Sequence, residues 1–162
     1  MQITDTHQGI RHVVDDAIAR VVAIGALVAI ALIHVLQLPE AFAAIGYLGA
    51  LFTAAAAACL VMAAVLTRTS DDLAWSAAGG LSALILCGYV LSRSVGLPGF
   101  TNDTGEWSEA LGLASMVVET QLVLLTAVVL VSRRYPSRRA VVGSSEPAGA
   151  NASGMQPGPA VG

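Results

Sequence analysis

The chain has no lysine. All eight of its basic residues are arginine and alanine is abundant, a bias no fold demands, which reads as the mark of a GC-rich genome and hence of a bacterium. Charge of either sign is scarce. Charged residues make up 12% of the chain and hydrophobic residues 56%, with a mean hydropathy of +0.73; these values exclude an ordinary soluble domain and assign the chain to a bilayer. Cysteine is limited to Cys59 and Cys87. Both lie in apolar segments, where thiols behave as small hydrophobes, and helical rise puts them at different depths, so no disulfide is expected. Also missing are a nucleophile triad, a phosphate-cradling glycine loop and a CxxC pair. Without them the sequence reads as non-enzymatic, with no cofactor implied.

What the chain does have is long apolar runs. A spanning helix needs about 20 residues, and four segments meet that length, at about 21–38, 44–66, 73–93 and 109–131. The connections are short enough to force antiparallel neighbours. The fold class is therefore all-α: a four-helix transmembrane bundle over 21–134, with a lead-in at 1–20 and a tail at 135–162. In the lead-in Ile10, Val14, Ala17, Ile18 and Val21 recur at helical spacing, as in an amphipathic helix lying near headgroups. The tail has few large apolar side chains and much Gly, Pro, Ala and Ser, and is expected to be disordered.

Local signals set the ends. Pro39 marks the exit of the first segment because it cannot continue the hydrogen-bonding pattern. Ala41-Phe42-Ala43 resembles a signal-peptidase site, but the preceding apolar run is long for a signal peptide and follows Asp5, Asp15 and Asp16. In the second segment Gly46, Gly49, Thr53 and Ala57 fall on one face, suited to close helix packing. Ser70 or Asp71 can cap the third, and Trp75 fits an interfacial belt. In the fourth, Ser108, Gly112, Ser115, Glu119, Leu122 and Thr126 form a small, polar face that should look into the bundle.

Seven of the eight arginines flank one side of this bundle: Arg11, Arg20, Arg68, Arg133, Arg134, Arg138 and Arg139. The positive-inside rule makes that side, with both termini, cytoplasmic, and the membrane the cell membrane. The cluster after the last segment can attract anionic lipid at about 1 kcal/mol per arginine. Nucleic-acid binding is a poor reading, since the only aromatic there is Tyr135.

Most of the polar chemistry lies between Gly88 and Glu119. Glu119 is the strongest signal: at helical rise it sits roughly 18 Å beyond Trp107, near the midplane, where a charged carboxylate costs several kcal/mol unless paired, wet or protonated. It is a proton carrier, a cation ligand, or an acid that locks helix packing. Arg93, on one face with Tyr89 one turn below, either snorkels to headgroups or pairs with Glu40 or another acid on that side, less readily with Glu119. His34 with Glu40 or Glu109 is a weak metal set without motif spacing, and a neutral histidine hydrogen-bonded between helices is favoured. The Gly96-Leu97-Pro98-Gly99 turn should hold Arg93 at the rim.

The stretches Ile33-His34-Val35-Leu36-Gln37-Leu38-Pro39-Glu40, Gly46-Tyr47-Leu48-Gly49 and Gly88 to Gly99 resemble those of uncharacterised small four-helix membrane proteins of actinobacteria, over about residues 20–135. The resemblance implies topology and source, and carries no activity. The functional expectation is an accessory or interaction component that meets lipid and a membrane-protein partner or a second copy; the alternative is a small proton- or cation-linked carrier built on Glu119.

Overall fold

A computed structural model describes the backbone of residues 3–135 and the side chains of 15–135. The expected tail, with Arg138 and Arg139, and the side chain of Arg11 lie outside the described residues. Four helices account for the described chain: α1 (Ile3–Ala44), α2 (Gly46–Arg68), α3 (Asp72–Ser94) and α4 (Ala110–Arg134). Each is long and apolar enough to cross a membrane; the 23 residues of α3 rise about 34 Å against a hydrocarbon core of about 30 Å. This is an all-α, multi-pass membrane protein with no strand among the described residues.

The helices pack in cyclic order, α1 on α2, α2 on α3, α3 on α4 and α4 back on α1, and α2 meets α3 least. The surface is inverted relative to a water-soluble protein. Leu32, Leu36, Leu60, Leu84, Leu124 and Val128 face outward, while Ser82, Arg93, Ser115, Glu119 and Thr126 are buried. In a bilayer that arrangement is favourable, because lipid tails take the large apolar side chains and the bundle interior takes the groups that need partners.

Two sequence expectations are corrected in the first hairpin. The 1–20 lead-in is no separate element, since one helix runs from Ile3 to Ala44. Pro39 does not end that helix either; it lies inside it. Proline already has a helical φ and forfeits one backbone bond, and Pro39 is solvent-side at the bundle end, where the freed carbonyl can be hydrated. The break falls at Ile45, which is extended (φ −163°, ψ 135°) and alone joins α1 to α2. Ala41, in the motif resembling a cleavage site, is helical and buried.

The small-residue face of α2 is corrected too. Gly46, Thr53 and Ala57 face outward, and the buried line is Gly49, Ala56, Cys59, Ala63 and Leu66. The side chains that meet the neighbours are thus rotated from the expected stripe, because α2 turns its Cys59 edge toward the core. Both thiols are free.

The two ends of the bundle are built differently. At the Arg133 end the interior is solid: Leu27, Leu66, Trp75, Ala78 and Leu122 share one core. Trp75 is fully buried there rather than in an interfacial belt. Its Nε1 lies 3.4 Å from Ser70 Oγ and its ring lies 5.9 Å under the Arg133 guanidinium. Arg133, expected to face lipid, instead bonds Asp16 of α1 at 2.5 Å and Asp72 of α3 at 3.0 Å, tying three helices. Asp71 caps α3 by accepting from Ala74 N at 2.7 Å.

At the other end the α3–α4 loop is held by backbone bonds. Leu97 and Phe100 exchange hydrogen bonds of 2.8 Å, and Gly105 N donates to the Arg93 carbonyl at 2.9 Å. Gly96 has φ +81°, and a Cβ there would lie 2.9 Å from Thr101 Cγ2, so both conformation and space require glycine. Gly96→Ala should therefore lower stability by about 1–3 kcal/mol, read as the unfolding midpoint in detergent. Gly80→Ala, at an open helical position, should be neutral or stabilising by about 1 kcal/mol. Equal midpoints for the two variants would remove the case for a structured loop.

Candidate functional site

The α3–α4 loop end holds a charged cluster assembled from three helices and the loop. Arg93, on the last turn of α3, is only 7% exposed. Its Nη1 lies 3.0 Å from Asp103 Oδ2 of the loop, and its Nη2 pairs with Glu109, the residue that precedes α4. Gln37 of α1 completes the set by donating from Nε2 to Glu109 Oε1 at 2.8 Å. Arg93 also stacks over Tyr89, 5.2 Å from its ring centroid, as the one-turn spacing suggested.

These contacts decide between the expected readings of Arg93. It pairs with other acids of its own end of the bundle, Asp103 and Glu109; it does not snorkel, and neither Glu40 nor Glu119 is its partner. Two carboxylates already occupy the guanidinium edges, and Glu40 stays exposed on α1. The contribution of α1 comes from Gln37, one turn before Glu40, a neutral amide with no charge to mark it as a partner. Glu109, considered with His34 as a weak metal set, is a partner of Arg93 instead.

Beneath the cluster lies a cavity of about 510 Å³ between α2 and α3. Leu48, Phe52, Ala55 and Ala58 form its α2 wall and Leu84 and Ile85 much of its α3 wall. Leu51, Leu84 and Gly88 line it while also being exposed, so its mouth is on the lateral surface, at the seam where the two helices meet least. The run Ala54 to Ala58, small on every face, helps leave the space open. A second, outer recess of about 330 Å³ is lined by Glu40, Asp103, Glu106 and Glu109. Gln37, Leu48, Phe52, Arg93 and Asp103 belong to both walls, so the recess is a vestibule that adjoins the cavity with these side chains between them.

Glu119 helps line the cavity and is 1% exposed. Ser115 Oγ donates to its Oε1 at 2.5 Å, one turn above on α4, and its own backbone carbonyl accepts from Ser82 Oγ at 3.1 Å. Its Oε2 has no partner, and among the described residues no basic side chain pairs with it. Among the described residues no basic side chain is there to pair with a carboxyl group at this depth, which leaves water, protonation or a ligand.

Tyr89 carries the second unpartnered atom. Its hydroxyl is buried without a hydrogen bond and lines the same cavity. The ring can come this close to α4 only because residue 112 is glycine: a Cβ there would lie 2.6 Å from Tyr89 Cε2. Trp107 meets the ring edge-on at 6.2 Å. His34 is also a lining residue, 6% exposed and tilted against Phe52 at 5.0 Å. Its Nδ1 lies 2.9 Å from the Ile30 carbonyl on its own helix, so the expected bond between helices is replaced by one within α1. Among the described residues no three His, Cys, Asp or Glu side chains converge to hold a metal ion.

The site is thus an apolar chamber with Glu119 in its wall, Tyr89 and His34 as further polar groups, and a charged, internally paired rim. It can take a hydrocarbon body and one hydrogen-bonding head group. No family model, curated protein or solved structure matches the chain.

The ion pair at the rim is open to a direct check. A double-mutant cycle of Arg93→Gln with Glu109→Gln should return a coupling of about 1–2 kcal/mol, since the guanidinium is buried while the acid is partly open. The same cycle with Glu40→Gln should return about zero. A larger coupling to Glu40 would contradict the rim geometry.

Proposed function

We propose that this is a protein of the bacterial cell membrane, with both termini in the cytoplasm, that acts as a non-enzymatic accessory component by binding a small lipophilic molecule in the cavity between α2 and α3. The observation that carries this reading is the cavity itself. Its volume of about 510 Å³ is in the range of small-molecule sites, its mouth is lateral, and three of its lining residues carry a buried polar atom without a partner, Glu119 Oε2, Tyr89 Oη and Arg93 Nε. Buried polar groups without partners are rare, and where they cluster in a pocket a ligand is the economical explanation.

Orientation is supported by the distribution of arginine, with Arg20, Arg68, Arg133 and Arg134 at one end of the helices and Arg93 at the other. The actinobacterial source rests on the resemblance in sequence alone. The outward stripe Gly46, Thr53 and Ala57 suits close approach of another helix, from a partner protein or a second copy.

A proton- or cation-linked carrier draws on the acidic vestibule, which leads toward Glu119 from the outer end. A carrier needs access from both faces. Leu27, Leu66, Trp75 and Leu122 are fully buried in the core of the other half, so the geometry favours binding over transport.

Reporter fusions after Arg68 and Arg134 should score cytoplasmic and one between Gly99 and Gly105 external; an external reporter after Arg134 would overturn the orientation. The cavity is tested by Ala58→Phe, which should fill it at little cost in folded yield. Native mass spectrometry should find a small amphiphile on the wild-type protein and not on the variant. Identical spectra at equal yield would remove the binding reading.

A further inference from the structure

The chemistry of the wall selects among lipophilic molecules by charge. Cavity and vestibule together are lined by five carboxylates, Glu40, Asp103, Glu106, Glu109 and Glu119, against the single guanidinium of Arg93. The terminal nitrogens of Arg93 are already taken by Asp103 and Glu109, which leaves only its Nε without a partner. An anionic head group would therefore meet uncompensated negative charge at the vestibule, and an ionised Glu119 would add to it, in surroundings where charges are weakly screened. A neutral apolar molecule would leave Glu119 Oε2 and Tyr89 Oη without partners, as they are in the empty chamber. A cationic head group meets neither objection.

We propose that the cavity binds lipophilic amines, with the nitrogen at Glu119 and the hydrocarbon between α2 and α3. This rests on the reading of the cavity as a binding site. An N–H of the amine donates to Glu119 Oε2, the acceptor that this chain leaves open, while Ser115 holds Oε1. Tyr89, on α3 and one turn below Arg93, lines the same cavity nearer the rim, and its hydroxyl is a second acceptor there. The ring of Phe52 in the wall favours a cation over an anion. Leu48, Leu51, Ala55, Ala58, Leu84 and Ile85 supply the surface for the chain of the amine. The lateral mouth admits it from the lipid, and the acidic vestibule lies beside its head group.

The test uses the full chain in nanodiscs of neutral lipid, with radiolabelled dodecylamine, dodecanol and dodecanoate, which share a chain and differ in head-group charge. Binding is corrected by empty nanodiscs. Dodecylamine should bind saturably and at least about tenfold more tightly than the other two, the scale of one charge-assisted hydrogen bond. Glu119→Gln should lose about that factor for the amine and little for the alcohol, and Tyr89→Phe should lose less than Glu119→Gln. Should Glu119→Gln fail to fold, the three-probe ranking on wild type and Tyr89→Phe still decides. Equal affinity for all three probes, or unchanged amine affinity in Glu119→Gln, overturns the amine proposal and leaves the cavity a binding site. No saturable binding of any probe overturns both.

Discussion

A guanidinium at the edge of a hydrocarbon layer has to be surrounded by acceptors, and much of the half of this bundle that ends in the α3–α4 loop follows from how Arg93 meets that demand. Two acids come to it, Asp103 from the loop and Glu109 from the start of α4, and Gln37 on α1 steadies the second. To bring Asp103 within reach the loop must fold back on the end of α3, which Gly96 permits at φ +81° and the Gly105 to Arg93 backbone bond secures. The stacked Tyr89 is then fixed below the cation, and its ring reaches α4 through the notch at Gly112. One charge thus orders a loop, a helix start and an aromatic side chain, and a ceiling forms over the space beneath.

That space persists because the helices beside it are unequal in bulk. Trp75, Leu66, Leu27 and Leu122 fill the Arg133 end. At the same depth as Glu119 and above, α2 offers chiefly alanine, and the seam to α3 closes incompletely. A carboxyl group in such a place is costly without partners, and a single serine meets only one of its oxygens. The cost is spread over a bundle whose opposite end is tied by Arg133 to Asp16 and Asp72.

The number of helices, their approximate limits and the inward face of α4 were legible in the sequence, because hydropathy over about 20 residues and the spacing of Gly112, Ser115, Glu119, Leu122 and Thr126 report one-dimensional facts; Ser108, expected on that face, instead precedes α4 and is exposed. The stacking of Tyr89 under Arg93 was legible too, a matter of one turn. The failures were matters of rotation and partner choice. Pro39 signals a helix end by type, yet its place at an exposed rim makes the lost bond inexpensive. The stripe on α2 was small enough to pack but turned the other way, since periodicity shows that a face exists and does not say toward which neighbour. Glu40 and Glu109 are equally acidic in sequence, and only the register between α1, α3 and α4 decides which meets Arg93. A cavity has no residue signature at all; it is the difference between volumes on two helices.

The incomplete seam between α2 and α3 has a consequence for what counts as the wall of the chamber. Where protein side chains fail to meet, the acyl chains of the surrounding lipid finish the enclosure. The size and shape of the space are therefore set jointly by the polypeptide and its solvent, in the way that the last plane of a crystal is set by what it grows against. Acyl length, unsaturation and lateral pressure enter the dimensions of the site as directly as Ala55 or Leu84 do, and the same chain in a micelle encloses a different volume from the one it encloses in a membrane.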